Sequence, residues 1–212
     1  MKTIKDYIIK EKLVLKKQQR IDNNGYEYVD LGLPSGNLWA GANLGADSCL
    51  LPGNAYQWCN DVDMTIRRNL KNRDAVEFKT PPKFDFDICQ AIMKGDWEMP
   101  TAEDFQELID NCEIVFNDSD CGVGFIGPNG EGLYFPCHAV YTLINDKEFV
   151  KDEEYEDIMG TYWTRDLYDI TDNDNDYVIV FNFSVDENSA EIIEATYTGH
   201  EYALQTRAII RR

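Results

Sequence analysis

Histidine and cysteine chemistry has few candidates in this chain of 212 residues. The two histidines, His138 and His200, lie in separate segments of the sequence. Cys137 directly precedes His138, and a thiolate beside an imidazole is the arrangement of a cysteine nucleophile. Neighbouring residues of a strand point to opposite faces, so adjacency in the sequence argues against a functional pair. We therefore expect a protein that is not an enzyme.

The acidic alternation of Asp172, Asp174 and Asp176 has the character of the first half of a calcium-binding loop. The sharp turn of such a loop requires Gly where Tyr177 stands, and its twelfth position requires Glu where the chain has Phe183. The three aspartates are therefore an incomplete Ca²⁺ candidate. We favour the alternative, a solvated acidic loop, and expect no other cofactor.

Six cysteines are spread over the chain without a C-x-x-C pair, so no spacing supports a zinc site. A disulfide framework is typical of secreted chains, and we find no signal peptide at the start of this sequence. We therefore predict reduced and mostly buried thiols. The six residues are Cys49, Cys59, Cys89, Cys112, Cys121 and Cys137.

The net charge of −19 is divided unevenly along the chain. Residues 1–20 hold seven of the 20 Lys and Arg and two of the 39 Asp and Glu, so they carry +5 and leave −24 for the rest. An anionic body repels phosphate backbones, which argues against nucleic-acid binding. The basic arm is instead the candidate site for a protein partner or sister subunits, through Lys2, Lys5, Lys10, Lys12, Lys16, Lys17 and Arg20.

The sequence also argues against a membrane protein. No run approaches the 18 or so apolar residues that a membrane span requires. At the start, residues 10–12 interrupt the apolar residues 7–9 before they reach the length of a signal peptide core. The expected location is the virion if the gene belongs to a phage, and otherwise the cytoplasm.

Turn-forming residues at 22–25 separate a basic N-terminal arm, residues 1–25, from an acidic domain, residues 26–212. Alternation over 26–31 and a break before 38–40 predict a β-hairpin. A short helix is predicted from Asp87 to Gly95.

The clearest helix signal begins at Thr101. Thr101 can cap the free N–H groups of a first turn while Asp104 reaches back to the cap. The apolar residues that follow are spaced to form one buried face, namely Phe105, Leu108, Ile109 and Cys112.

From residue 122 onward the signals indicate strands. An Asn129-Gly130 pair in the turn at 127–130 favours a tight hairpin. Strands are predicted at 124–126, 133–135, 177–183, 192–197 and 202–210, the last of which closes the sheet. Two helices followed by several strands indicate an α+β domain.

Several short motifs carry a resemblance to a known family, namely YVDLGLPSG and LWA within residues 28–40, Gly45-Ala46, and WEMPTAE at residues 97–103. They resemble the Fibrobacter succinogenes major paralogous domain. This family occurs in Bacteroidetes and their phages and is grouped with C-type-lectin-like folds. Later landmarks of the resemblance are 127–136, 160–164 and 206–209, so it spans nearly everything after residue 26. Two departures are Glu98, where the family usually has a basic residue, and residues 136–139, which replace a run of small residues.

The resemblance implies a C-type-lectin-like domain with two helices, a twisted and mainly antiparallel sheet and long loops. With the arm, it implies a non-catalytic phage virion surface protein, such as a capsid decoration, head-fibre or tail-associated protein. The arm would anchor it and the loops would bind a host-surface glycan or protein. The alternatives are a cytoplasmic bacterial ligand-binding protein and a cysteine-dependent enzyme of the formylglycine-generating type. The four tryptophans are expected in the core, at Trp39, Trp58, Trp97 and Trp163.

Overall fold

The computed structural model describes residues 20–58, 65–66, 87–117, 121–144, 148–151, 159–168, 177–185, 190–199 and 202–212. Two helices lie in this part of the chain, α1 (Ile88–Met93) and α2 (Ala102–Asn111). The strands are β1 (Arg20–Ile21), β2 (Glu27–Asp30), β3 (Leu38–Ala40), β4 (Ala55–Gln57), β5 (Thr65–Ile66), β6 (Trp97–Glu98), β7 (Glu113–Asn117), β8 (Gly122–Ile126), β9 (Gly132–Pro136), β10 (Tyr141–Ile144), β11 (Glu148–Lys151), β12 (Met159–Tyr168), β13 (Tyr177–Val185), β14 (Ala190–Gly199), β15 (Tyr202–Leu204) and β16 (Ile209–Ile210).

The strands form four antiparallel sheets. Two sheets have five strands each, in the orders β1-β2-β3-β16-β6 and β11-β10-β15-β4-β5. The other two have three strands each, in the orders β12-β13-β14 and β7-β8-β9. The predicted α+β class with mainly antiparallel strands is confirmed at this level. No helix in the described part of the chain has the length and apolar character of a membrane span.

The C-terminal segment differs from the expectation of one closing strand over 202–210. β15 pairs with β4 and β10, whereas β16 pairs with β3 and β6 in another sheet. The residues between β15 and β16 instead accept hydrogen bonds from β3 and from the loop that follows it. Leu44 N–H, in that loop, donates to Thr206 O at 3.0 Å. Likewise Ala40 N–H donates to Ala208 O at 2.8 Å. The segment therefore joins two sheets.

Both helices begin at the predicted positions, and the residue that precedes each helix caps it. In α2, the Thr101 hydroxyl accepts a hydrogen bond from Asp104 N–H at 3.2 Å, and the Asp104 carboxylate accepts one from Thr101 N–H at 2.7 Å. In α1, the Asp87 carboxylate accepts from the N–H groups of Cys89 and Gln90. The predicted cap of α2 is confirmed. Of its predicted buried face, Phe105 and Leu108 are buried, whereas Ile109 and Cys112 are only partly buried.

The predicted hairpins are also present, β2–β3 and β8–β9. Gly130 has a φ of +83°, but Asn129 does not share a positive φ, so the connection is wider than a two-residue turn. Its closing bond runs from Gly127 N–H to Glu131 O at 2.8 Å. Glu131, the last residue of this turn, directly precedes β9.

The core contains two large apolar clusters. In one of them, the rings of Phe105 and Phe181 stack with centroids 4.4 Å apart, which joins α2 to β13. All four tryptophans are buried, as predicted, at Trp39, Trp58, Trp97 and Trp163. These indoles therefore support the fold and present no platform to solvent.

β1 connects the two predicted parts of the chain. Arg20 pairs with Tyr28 and Ile21 with Glu27, so the sheet begins before the predicted boundary at residue 25. The turn at 22–25 is confirmed, with Gly25 at a φ of +90°. Six of the seven predicted partner-binding residues lie outside the described residues, namely Lys2, Lys5, Lys10, Lys12, Lys16 and Lys17. The division into an arm and a body therefore stays a prediction.

Candidate functional site

A cleft of about 460 Å³ opens between β2, the loop that follows β3 and the β8–β9 turn. The C-terminal end of α1 closes it with Ile92 and Met93. Ligand sites in proteins commonly range from about 300 to 1,000 Å³. The cleft is therefore large enough to hold a few side chains of a partner or one small ligand.

The loop that follows β3 is held in one conformation by two glycines and a backbone bond. Gly45 and Gly53 have φ values of +76° and +77°, which residues with a side chain rarely adopt. Asn54 N–H donates to Leu44 O at 3.1 Å and closes the loop. The loop therefore presents a fixed wall to the cleft.

Asn43 connects the cleft to a buried polar network. Its Oδ1 accepts hydrogen bonds from Arg207 Nε at 2.9 Å and Nη2 at 2.7 Å. Its Nδ2 donates to Pro52 O at 3.0 Å and to the Tyr162 hydroxyl at 3.1 Å. The Tyr162 hydroxyl in turn donates to Pro136 O at 2.7 Å. This network fixes the cleft floor to β9, β12 and the C-terminal segment.

Arg207 is fully buried and has no carboxylate partner within the described part of the chain. Its guanidinium lies 4.6 Å from the centroid of the Phe135 ring, a cation–π contact. Burial lowers the pKa of Arg207 to about 10, although Tyr162 and Cys49 counteract part of this effect. The guanidinium still carries its charge at neutral pH and depends on Asn43 for its best acceptor.

The cleft walls are predominantly acidic. Glu27, Asp30, Asp47 and Glu131 line it together with one cation, Arg20. Arg20 Nη1 lies 3.3 Å from Asp30 Oδ2. Within the described residues, Asp47 and Glu131 have no ion-pair partner. The cleft therefore carries carboxylates whose charge is not neutralised locally.

Tyrosines give the cleft apolar surface between its carboxylates. Tyr26, Tyr28 and Tyr134 all line it. The Tyr26 hydroxyl donates to Ile92 O at 3.4 Å, and its ring meets the Trp97 indole edge-on with centroids 6.5 Å apart. An electron-rich ring beside carboxylates suits a cationic side chain with an aliphatic stem.

His138 has a structural role, in agreement with the argument against a thiolate–imidazole pair. It is buried, and its Nε2 accepts a hydrogen bond from Thr161 N–H at 3.0 Å. Its Nδ1 lies 3.2 Å from Ala139 O, which selects the neutral tautomer with the proton on Nδ1. Cys137 is bonded elsewhere, so the two side chains do not act together.

The prediction that the cysteines are reduced thiols is wrong for two of them. Cys121 and Cys137 form a disulfide, with their Cα atoms 5.3 Å apart. The β8–β9 pairing brings together residues that are 16 positions apart in the sequence, which spacing alone does not reveal. Cys49, Cys89 and Cys112 are free, as predicted.

The thiols of Cys89 and Cys112 are not activated as nucleophiles. Cys89 is fully buried, and burial raises its pKa well above the usual value, with Asp87 adding to the effect. Burial also raises the pKa of Cys112 to about 11, with a contribution from Glu107. Both thiols therefore stay protonated at neutral pH.

The calcium candidates Asp172, Asp174 and Asp176 lie outside the described residues, and the Ca²⁺ prediction stays untested. His200 and Cys59 also lie outside them. Among the residues that are described, no group of three His, Cys, Asp or Glu side chains is arranged to hold a metal ion.

Comparison with known proteins gave no further guide. No protein-family model, curated protein or solved structure matched this chain.

The cleft was not predicted from the sequence. Its lining comes from β2, the loop after β3, the end of α1 and the β8–β9 turn. One signal was present, since small residues at 41–46 follow the predicted strand at 38–40 and indicate a close backbone approach. The distant Glu131 could not be assigned to the same site without the fold.

Proposed function

We propose that this chain is a non-catalytic binding protein of C-type-lectin-like fold, displayed on a phage virion as a capsid decoration, head-fibre or tail-associated protein. Residues 1–20 anchor it to the assembly, and its loops bind a host-surface glycan or protein. The observation that carries the proposal is the acidic, tyrosine-lined cleft of about 460 Å³, whose size and charge suit a basic protein segment such as residues 1–20 and so support assembly through the arm.

The fold assignment is supported by how the landmark segments of the resemblance meet. β3, β6 and β16 each contain part of a landmark, and β16 pairs with both of the others. The Trp39 and Trp97 indoles are both fully buried beside this pairing. Segments that are far apart in the sequence thus meet in one sheet, as expected for the centre of a single domain.

A binding role is supported by what the chemically capable side chains do. Both ring nitrogens of His138 are engaged with backbone groups. Cys121 and Cys137 are bonded to each other, and Cys89 is fully buried. These contacts favour binding over the formylglycine-generating type of chemistry, which requires reactive cysteines.

The disulfide supports display outside the cytoplasm. Structural disulfides persist in oxidising surroundings and are rare in the reducing cytosol. A virion protein meets oxidising conditions after lysis, so the Cys121–Cys137 bond favours this proposal over a cytoplasmic ligand-binding protein.

Particle incorporation tests the proposal. Host cells infected with a phage that lacks the gene are supplied with the full-length chain or with a variant carrying Lys10→Glu, Lys12→Glu, Lys16→Glu and Lys17→Glu. Mass spectrometry of purified particles should find the wild-type chain and little of the variant. Particles that contain neither chain would contradict the virion role, and equal amounts of both would contradict anchoring by the arm.

A further inference from the structure

We propose that the acidic cleft of one copy binds the basic N-terminal segment, residues 1–19, of a second copy. This inference rests on the proposed function and identifies the partner of the cleft. The segment carries six lysines and two acidic residues, whereas the rest of the chain is strongly anionic. Two such bodies repel each other unless cations lie between them.

The first observation is the charge of the cleft. Asp47 and Glu131 both line the cleft, and neither has an ion-pair partner within the described part of the chain. A cluster of like charges lowers the stability of a domain through repulsion. A lysine that enters the cleft relieves that repulsion.

The second observation is that one wall of the cleft already holds a guanidinium. Arg20 Nη1 lies 3.3 Å from Asp30 Oδ2 within the same copy. This contact shows how a basic side chain is accepted there, beside the tyrosines of β2. Because Arg20 is already paired with Asp30, the carboxylates of Asp47 and Glu131 remain for the lysines that precede Arg20 in the sequence.

The third observation is geometric. The pairing of Arg20 with Tyr28 and of Ile21 with Glu27 sets the direction of β1, which at Arg20 points along β2 toward Asp30. Nineteen residues can span at most about 60 Å, and a domain of about 190 residues has a radius of gyration of about 16 Å. A segment that starts at the cleft wall of one copy is therefore long enough to span the distance to the cleft of a neighbour.

Reciprocal exchange of this kind closes a two-fold dimer, because each copy supplies one segment and one cleft. Leu50 and Leu51 follow the cleft-lining residues directly and are 58% and 43% exposed. They offer apolar contact to the Tyr and Ile residues at positions 7–9 of the segment. The contact thus combines charge pairs with a small apolar surface.

A charge swap in the full-length chain tests the inference. The cleft variant carries Asp47→Lys and Glu131→Lys, and the segment variant carries Lys10→Glu, Lys12→Glu, Lys16→Glu and Lys17→Glu. A control with Asp110→Lys and Glu191→Lys makes the same charge change at exposed positions outside the cleft. Sedimentation velocity measures self-association of each chain alone and of an equimolar mixture of the two variants.

The wild type and the control should form dimers that weaken with added salt. Each variant alone should self-associate at least about tenfold more weakly, and the mixture should recover the dimer, which requires that both variants are folded. A monomeric wild type, equal weakening in the control, or a mixture that stays monomeric would each overturn the inference. A monomeric wild type that still enters particles through its arm would leave the proposed function standing.

Discussion

Arg20 Nη1 lies 3.3 Å from Asp30 Oδ2 and thereby fastens the end of the basic arm to the wall of the acidic cleft. The two side chains are 36% and 27% exposed, so solvent screens their attraction. We expect Arg20→Gln to change the free energy of unfolding by less than about 1 kcal/mol. Urea unfolding measures this. A loss of several kcal/mol would show that the ion pair supports the fold itself.

Asp22 should make the fold sensitive to acid. Its Oδ2 accepts a hydrogen bond from Trp97 Nε1 at 2.6 Å, and its Oδ1 accepts from the N–H groups of Asn24 and Tyr26. Desolvation is the largest single influence and raises the pKa of Asp22, but these hydrogen bonds together outweigh it and lower the pKa.

Because the folded pKa lies below the unfolded one, the carboxylate stabilises the fold above about pH 4. That contribution is lost as the pH falls through the folded pKa. Asp22→Ala also leaves the buried Trp97 N–H without its acceptor and should cost about 2 kcal/mol at pH 7. Urea midpoints between pH 2 and 7 should show a weaker pH dependence for the variant. Asn23→Ala, at an exposed neighbour, is the control, and an equal effect there would contradict the assignment.

Asn43→Ala should be among the most destabilising single changes in the cleft. It removes the acceptor of two Arg207 hydrogen bonds and leaves the buried guanidinium with only a 3.5 Å bond to Ala40 O and the Phe135 ring. Losing a hydrogen-bond partner of a buried charge costs about 3 kcal/mol. The matched variant Asn43→Asp keeps the acceptor and adds a counter-charge, so it should retain most of the stability. Thermal unfolding of both variants measures these effects. An unchanged melting temperature for Asn43→Ala would show that the Asn43–Arg207 network does not stabilise the fold.

The disulfide should contribute measurably to stability. Cys121→Ala with Cys137→Ala removes a cross-link that spans 16 positions, and loops of that length correspond to about 3 kcal/mol. A reductant should lower the stability of the wild type toward that of the double variant and leave the variant unchanged. Peptide mapping without reduction should recover the Cys121–Cys137 pair. Recovery of both cysteines only as free thiols would show that the bond does not form.

The parts of the fold that could be predicted are those with local causes. The α2 cap depends on Thr101 and Asp104, which are three residues apart, and the hairpins depend on turns of a few residues. In each case the residues that direct the structure lie within one short stretch of the sequence. Residue types and spacing were therefore sufficient.

The cleft could not be predicted because its causes are distant in the sequence. Asn43 and Arg207 are 164 positions apart, and Asp22 and Trp97 are 75 apart. The departure from the resemblance at Glu98 also depends on residues that are distant in the sequence. Glu98 stands where a basic residue is usual, and it forms ion pairs with Arg165, at 3.0 Å, and with Arg211. The departure is thus matched by two cations that only the fold brings near.

Zero-length carbodiimide coupling tests the central claim most directly. It joins a lysine amine to a carboxylate only where the two already touch, and a mixture of ¹⁴N and ¹⁵N full-length chains distinguishes links within a copy from links between copies. We predict mixed-isotope peptides that join lysines of residues 1–19 to Asp47 or Glu131. Links from those lysines that are confined to single-isotope pairs, or that never reach these two carboxylates, would contradict the account.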